Sequence, residues 1–144
     1  MRVLVQRVKK ANVKVNGKIV GNIEKGLVLL VGITHNDDEK NADFLVQKVC
    51  NLRIFRDNED KMNLSVKDVN GKLLIISQFT LYGDARKGNR PSFIEAARPE
   101  KANELYEYFC KKCSQEIEVQ KGIFGADMKV ELLNDGPVTI MLEK

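Results

Sequence analysis

Two short segments hold most of the residues able to do chemistry. The first, Ser77-Gln78-Phe79-Thr80-Leu81, puts three hydrogen-bonding side chains at the end of an apolar run. Functional groups collect at strand ends, where the backbone opens to solvent. Gln78 and the backbone N–H groups beside it could hold an ester carbonyl and stabilise the oxyanion developing on it. The plainer reading is that Ser77 and Thr80 satisfy backbone groups as the strand turns. As a nucleophile, Ser77 or Thr80 would need a base, and none is evident beside them. The single histidine, His35, ends the apolar run from Leu27 to Ile33, so any Ser-His or Cys-His mechanism must pass through it. Simple exposure or a hydrogen bond is the other reading of that residue.

The second segment is Asn134-Asp135-Gly136-Pro137-Val138-Thr139. Its composition is that of a hairpin turn between two strands. Gly136 also allows close approach of backbone or ligand, and a Gly-Pro bond becomes cis at a cost of only ~0.5–1 kcal/mol. A cis bond there would point two successive carbonyls in a common direction, an acceptor pair suited to an ammonium group.

Other chemistries find no support. No cluster of His, Cys and carboxylates has metal-ligand spacing, and there is neither a P-loop nor a G-x-G-x-x-G, so no metal and no cofactor are expected. Cys50, Cys110 and Cys113 are odd in number, and the i, i+3 spacing of the last two is poor for a strain-free bridge. They read as helix filling in a reducing compartment. Asp37, Asp38 and Glu39 read as a solvated helix start.

The elements that must position these groups follow from periodicity. Val3, Val5, Val8, Val13 and Val15 alternate with polar residues and run into Asn16-Gly17, the signature of a tight hairpin. The run Leu27 to Ile33 is unbroken in its apolarity, as strands covered on both faces are, and Leu73 to Phe79 reads as another buried-type strand. Phe44, Leu45, Lys48, Val49 and Leu52 mark a first helix. Pro99 opens a second, along which Ala102, Leu105, Tyr106, Phe109 and Cys113 share one face. Ile117 with Val119, Met128 to Leu133, and Val138 to Leu142 read as further strands, the last two joined by the Asn134-Asp135-Gly136-Pro137 turn. The expected architecture is a strand-dominated α+β domain spanning residues 1–144, a curled or barrel-like sheet covered by two main helices.

With 144 residues and 43% apolar content, the chain can bury a core without metals or disulfides. MRVLVQRVKK alternates where a signal peptide would be continuously apolar, and no run approaches the ~18 residues of a membrane span. A soluble cytoplasmic protein is expected. A net charge of +4 permits a polyanionic partner without establishing one.

At the two chemical segments the chain resembles the bacterial and eukaryotic D-aminoacyl-tRNA deacylases. Supporting matches are the opening Met1-Arg2-Val3-Leu4-Val5-Gln6-Arg7-Val8, Gly88 with Arg90-Pro91-Ser92-Phe93, and Phe124-Gly125-Ala126-Asp127-Met128. The resemblance implies a homodimer of barrel-like α+β subunits with each active site at the interface. It implies hydrolysis of the ester at the 3′-terminal aminoacyl-adenosine of tRNA, with glycine passing the same filter. Ser77, Gln78, Phe79 and Thr80 would form the reaction site. Gly136-Pro137, cis, would enter the partner's pocket and exclude L-amino acids, with Arg7 holding that loop in place. Phe79, Phe124 and Met128 would help line the pocket. Thr80 as nucleophile, or the RNA's own 2′-hydroxyl helping to activate water, are the two mechanisms implied. Arg86, Lys87 and Arg90 are candidates for phosphate contact, or else a solvated loop. Two other functions fit the same residues: editing of an L-aminoacyl-tRNA, as a resembling domain of archaeal threonyl-tRNA synthetases does for L-serine, or non-catalytic nucleic-acid binding.

Overall fold

The structure, a computed structural model, describes residues 1–144. Strand β1 (Arg2–Val15) buries alternate valines and turns at Asn16-Gly17 into β2 (Lys18–Ile23). Both turn residues have positive φ, 49° and 76°, as the favoured two-residue hairpin loop requires. Strand β3 (Gly26–Gly32) runs antiparallel to the first half of β1, from Arg2↔Gly32 to Val8↔Gly26, while β2 pairs with the second half. Helix α1 (Glu39–Asn51) then crosses over to β6 (Lys72–Ser77), which lies parallel to β3. Between them, β4 (Phe55–Arg56) and β5 (Met62–Leu64) form a small separate ribbon. Helix α2 (Pro99–Ser114) makes the second crossover, to the short strand β7 (Val119–Lys121), parallel to β6. Strand β8 (Met128–Glu143) returns along the whole outer edge of β1, from Val15↔Met128 to Arg2↔Glu143.

The sheet order is β2-β1-β3-β6-β7, with β8 on the other side of β1. Strand β2 curls back onto β6 and β7. A methyl added at Gly21 would lie 3.0 Å from Leu74 Cδ1 and 3.1 Å from the Lys121 carbonyl. The sheet is thereby a nearly closed barrel.

Closure explains the unbroken apolar runs. On β3 and β6, Val28, Leu74 and Ile76 point into the barrel with Val8, Val13 and Ile23. Their neighbours Leu27, Leu29, Leu73 and Ile75 point to the other side, onto α1 and α2. Both faces are dry, so period-2 alternation vanishes. Gly26 lets β3 meet β6 closely, since a Cβ there would sit 1.9 Å from the Lys72 carbonyl. The buried Tyr106 hydroxyl donates to the Ile75 carbonyl at 2.8 Å, tying α2 to β6.

Several expectations need correction. Strand β6 ends at Ser77 rather than Phe79: Phe79–Tyr82 form a 3₁₀ turn. Met128–Leu133 and Val138–Leu142 are not two strands joined by a hairpin. They are one strand, and both parts pair with β1 in the same direction, Val8↔Asn134 before the interruption and Gln6↔Thr139 after it. Residues 135–138 are an excursion opposite Arg7. Asp37 is not solvated. It is buried, accepting from the Met1 amino group at 2.6 Å and the Thr34 amide at 2.7 Å. Asp38 is the N-cap, in a reciprocal pair with Asn41. The buried face of α1 is Ala42, Leu45, Val46, Val49 and Cys50, which leaves Phe44 exposed. Ile117 is a core residue before β7, outside the strand.

Candidate active site

The turn after β6 is set by Gly32. A Cβ at Gly32 would lie 3.1 Å from both the Gln78 carbonyl and Leu81 Cβ, so glycine lets the chain fold over the end of β3. The Gln78 amide donates to the Val31 carbonyl at 2.7 Å, the last rung before the chain leaves the sheet. The amides of Phe79 and Thr80 open the 3₁₀ turn and have no acceptor within it. Gln78 Nε2 donates to Thr80 Oγ1.

Beside this turn is a half-open cavity of about 630 Å³. Ser77, Gln78, Phe79, Phe124 and Met128 all line it, five residues singled out in the sequence. The floor is apolar, from Val31, Ile33, Ile76 and Ala102 at the ends of β3 and β6 and the start of α2. Phe124 rests on Tyr106 with ring centroids 6.0 Å apart. Met128 fits because residue 122 is glycine: a Cβ there would come within 2.4 Å of its sulfur. At the mouth, Phe79 meets Phe93 edge to face at 5.1 Å. Phe93 lay unassigned in the Arg90-Pro91-Ser92-Phe93 match; only the fold brings it to Phe79.

Thr80 is exposed and does not line the cavity. His35 does not line it either. Its Nε2 donates to the Ile94 carbonyl at 2.6 Å, a structural clasp on the 83–98 loop. The one carboxylate lining the cavity, Asp127, is paired with Lys129 at 2.9 Å. No histidine therefore stands beside Ser77 or Thr80. No group of three or more His, Cys, Asp or Glu side chains converges as a metal site would. A second cleft, of about 550 Å³, lies between Arg2, Tyr82, Asp84 and Glu95. Burial pushes the Tyr82 phenol up to about 12.

The remaining predicted residues gather elsewhere. The Gly136-Pro137 bond is cis, and Gly136 has φ +117°. A Cβ at Gly136 would lie 2.9 Å from Arg7 Nη2, from Val138 Cγ2 and from the Val138 amide nitrogen. Arg7 is buried and donates through Nη1 to the Ile54 carbonyl at 2.5 Å. Its Nε lies 3.1 Å from Asp135 Oδ2, an ion pair without hydrogen-bond alignment. Asn134 closes the neck of the excursion by donating to the carbonyls of Arg7 and Val138, each at 3.0 Å. Gln6 and Thr139 meet the Asn134 side-chain oxygen from the other side, at 3.3 and 3.2 Å. Arg7 is thus the support beneath the loop; Asn134, Thr139 and Gln6 are supports that the motif alone did not assign.

Within one chain the loop and the cavity are apart. Arg7 stands opposite Leu27 at the start of β3, whereas the cavity takes Val31 and Ile33 from its end. Four to six residues of strand separate them, roughly 13–20 Å.

Residues 4–143 match the family model described as D-Tyr-tRNA(Tyr) deacylase. A D-aminoacyl-tRNA deacylase of Thermosipho melanesiensis is 59% identical, over 99% of this chain and 97% of that one. The Fusobacterium nucleatum protein of the same name is 62% identical over 99% and 95%. Among solved structures, one titled c-Myc DNA Unwinding Element Binding Protein superposes with a TM-score of 0.95 at 39% identity, covering 100% of this chain and 99% of that one. A probable eukaryotic D-amino acid tRNA deacylase shares the fold, with a TM-score of 0.83 at 20% identity over 98% and 97% of the two chains. With a cavity built on the Ser77-Gln78-Phe79 turn, a braced Gly136-Pro137 loop and a family match from end to end, the chain belongs to the D-Tyr-tRNA(Tyr) deacylase family.

Proposed function

We propose that this chain, acting as one domain in the cytoplasm, hydrolyses the ester of D-aminoacyl-tRNA to free D-amino acid and tRNA. The observation that carries the proposal is its identity of 59% and 62%, over nearly its full length, with two relatives named for that activity. The cavity suits the 3′-terminal aminoacyl-adenosine. Its apolar walls take the base and side chain, and the Phe79 amide with Gln78 faces the ester carbonyl to donate to the oxyanion. Attack comes from water, helped by the RNA's 2′-hydroxyl, because neither Ser77 nor Thr80 has a base to activate it.

The second half of the site comes from another copy. A two-fold dimer brings the partner's Gly136 and Pro137 to the cavity mouth, so that two equivalent sites form together. Their carbonyls receive the substrate ammonium, and the loop occupies the space an L side chain would need. Selection is then by exclusion, which separates enantiomers more sharply than the ~1–3 kcal/mol a pocket gains from one methylene. Glycine has no side chain to exclude and is hydrolysed too.

The deciding assay compares D-Tyr-tRNA, L-Tyr-tRNA, L-Ser-tRNA and Gly-tRNA, with and without EDTA. The expected result is hydrolysis of the D-Tyr and Gly substrates alone, unchanged by chelation. Release of L-serine in preference would move the assignment to L-aminoacyl editing. A second reading, nucleic-acid binding without hydrolysis, takes support from the relative titled a DNA-unwinding-element binding protein. In that case RNA or DNA is retained and no amino acid appears from any substrate.

A further inference from the structure

The cavity has two rims over which an RNA strand could leave, and they differ in charge. The 83–98 loop carries four cations, Arg86, Lys87, Arg90 and Arg98, against two carboxylates, Asp84 and Glu95. The 122–128 rim carries Asp127 and no cation, and the adjacent Lys129 is spent on Asp127. On the first rim Arg86 is committed to Asp84 through two hydrogen bonds of 2.9 and 2.8 Å. Lys87, Arg90 and Arg98 have no ion-pair partner anywhere in the chain. Arg98 also lines the cavity.

The same rim holds an aromatic surface that is exposed yet fixed. Phe79 is 57% and Phe93 38% exposed, although each ring packs on the other. The loop carrying Phe93 is pinned on both flanks. Asp84 and Ser92 exchange amide-to-carbonyl bonds of 2.8 Å, Thr34 Oγ1 donates to the Glu95 carbonyl at 2.5 Å, and the Ala97 amide donates to the Ile33 carbonyl at 2.9 Å. Rigid exposed rings beside the unpaired Arg98, with the unpaired Lys87 and Arg90 in the turn that the Asp84–Ser92 bridge closes, form the surface that single-stranded nucleic acid prefers, with bases stacked and phosphates neutralised.

We propose that the single-stranded 3′ end of the RNA leaves the cavity over Phe93. The nucleotide preceding the terminal adenosine stacks on that ring, and its flanking phosphates are held by Arg98, Arg90 and Lys87. Arg86 is excluded from this set by its bond to Asp84. The path rests on the reading of the cavity as the seat of the aminoacyl-adenosine.

The test uses the full chain and two substrates with the same scissile bond, D-Tyr-tRNA and D-Tyr-adenosine, together with binding of an uncharged RNA hairpin bearing a single-stranded 3′ overhang. The double variant Lys87→Ala/Arg90→Ala is expected to raise KM for D-Tyr-tRNA about tenfold with kcat unchanged, and to leave D-Tyr-adenosine hydrolysis as it was. Loss of two phosphate contacts on a single strand flattens the dependence of log affinity on log salt by about 1.4. Phe93→Leu keeps the apolar bulk and is expected to weaken binding of the overhang hairpin several-fold while leaving a blunt hairpin unaffected. Equal losses on both substrates, or an unchanged hairpin affinity and salt slope in the double variant, would overturn the proposed path. Hairpin binding that depends on Lys87 and Arg90, without hydrolysis of either ester, would sustain the path and refute the deacylase reading.

Discussion

Gly136 is where a single methyl group would do the most damage. Its φ of +117° and the 2.9 Å approach to Arg7 and Val138 leave no room for a Cβ. Gly136→Ala is expected to cost ~1–3 kcal/mol of stability, read by denaturant melts. It should also lower D-Tyr-tRNA turnover about a hundredfold, as a displacement of ~1 Å near reacting groups does. Thr80→Ala tests the opposite case. Its hydroxyl is exposed and accepts from Gln78, so the variant should keep activity within about tenfold. A larger loss with the fold intact would return Thr80 to the chemistry as nucleophile. Asp84 offers a titration. The Arg86 guanidinium beside it holds its carboxylate down to about 2. A depressed folded pKa stabilises above the ordinary carboxylate range, and that contribution fades as pH falls toward 2. An NMR titration of the Asp84 carboxyl should show this midpoint, and Arg86→Ala should raise it only part of the way, because the amide of residue 86 still donates to the carboxylate. At this scale the motif residues were legible because motifs are local. Asp135, Phe93 and the Ile54 carbonyl were not, since each acts through a neighbour distant in sequence.

Secondary structure was legible wherever local chemistry has one outcome. Asn16-Gly17 gave a hairpin and Pro99 opened a helix because positive φ and a missing N–H leave few alternatives. Asn134-Asp135-Gly136-Pro137 carries equally good turn chemistry and does something else. The turn signal says only that the chain leaves the extended path. Whether it reverses or rejoins the same strand is decided by β1, whose register resumes at Gln6↔Thr139. Leu132 packs inside the barrel and Val138 on the helix-side core, so the excursion also switches the face the strand buries, which an even spacing of apolar residues does not reveal. Asp38 is exposed at the helix start, as the charge run suggests, but a cap and a merely solvated carboxylate look alike in sequence. Its reciprocal bonds with Asn41 predict that Asp38→Ala lowers stability by ~1 kcal/mol, visible as a lower Tm. Between α1 and α2 the three thiols are free and buried, and burial pushes Cys110 up to about 12. The hydrogen bond from Cys113 draws Cys50 the other way, so it is the burial of all three sulfurs that should make native protein at pH 8 resist iodoacetamide and react at all three positions only in denaturant.

For the molecule as a whole, barrel closure was expected from strand content, but its seam was not, because β2 meets β6 and β7 through packing that leaves no periodic trace. The separation of loop and cavity within a chain turns assembly into a genetic test. Mixing a Gly136→Ala chain with a Gln78→Ala chain should restore about a quarter of wild-type activity, since half the pairs are mixed and each unites one intact cavity with one intact loop. No recovery on mixing would place both halves of the site in the same chain. The interruption of β8 has a kinetic consequence as well. Asn134 and Thr139 are still registered against β1, whereas 135–138 have no partner there. Deuterium should consequently enter Asp135, Gly136 and Val138 within the dead time of a labelling experiment, while the β8 amides bonded to β1 on either side exchange far more slowly. The strand thus carries a fast segment between two slow ones, so the excursion can open and close without loosening the sheet that bears it.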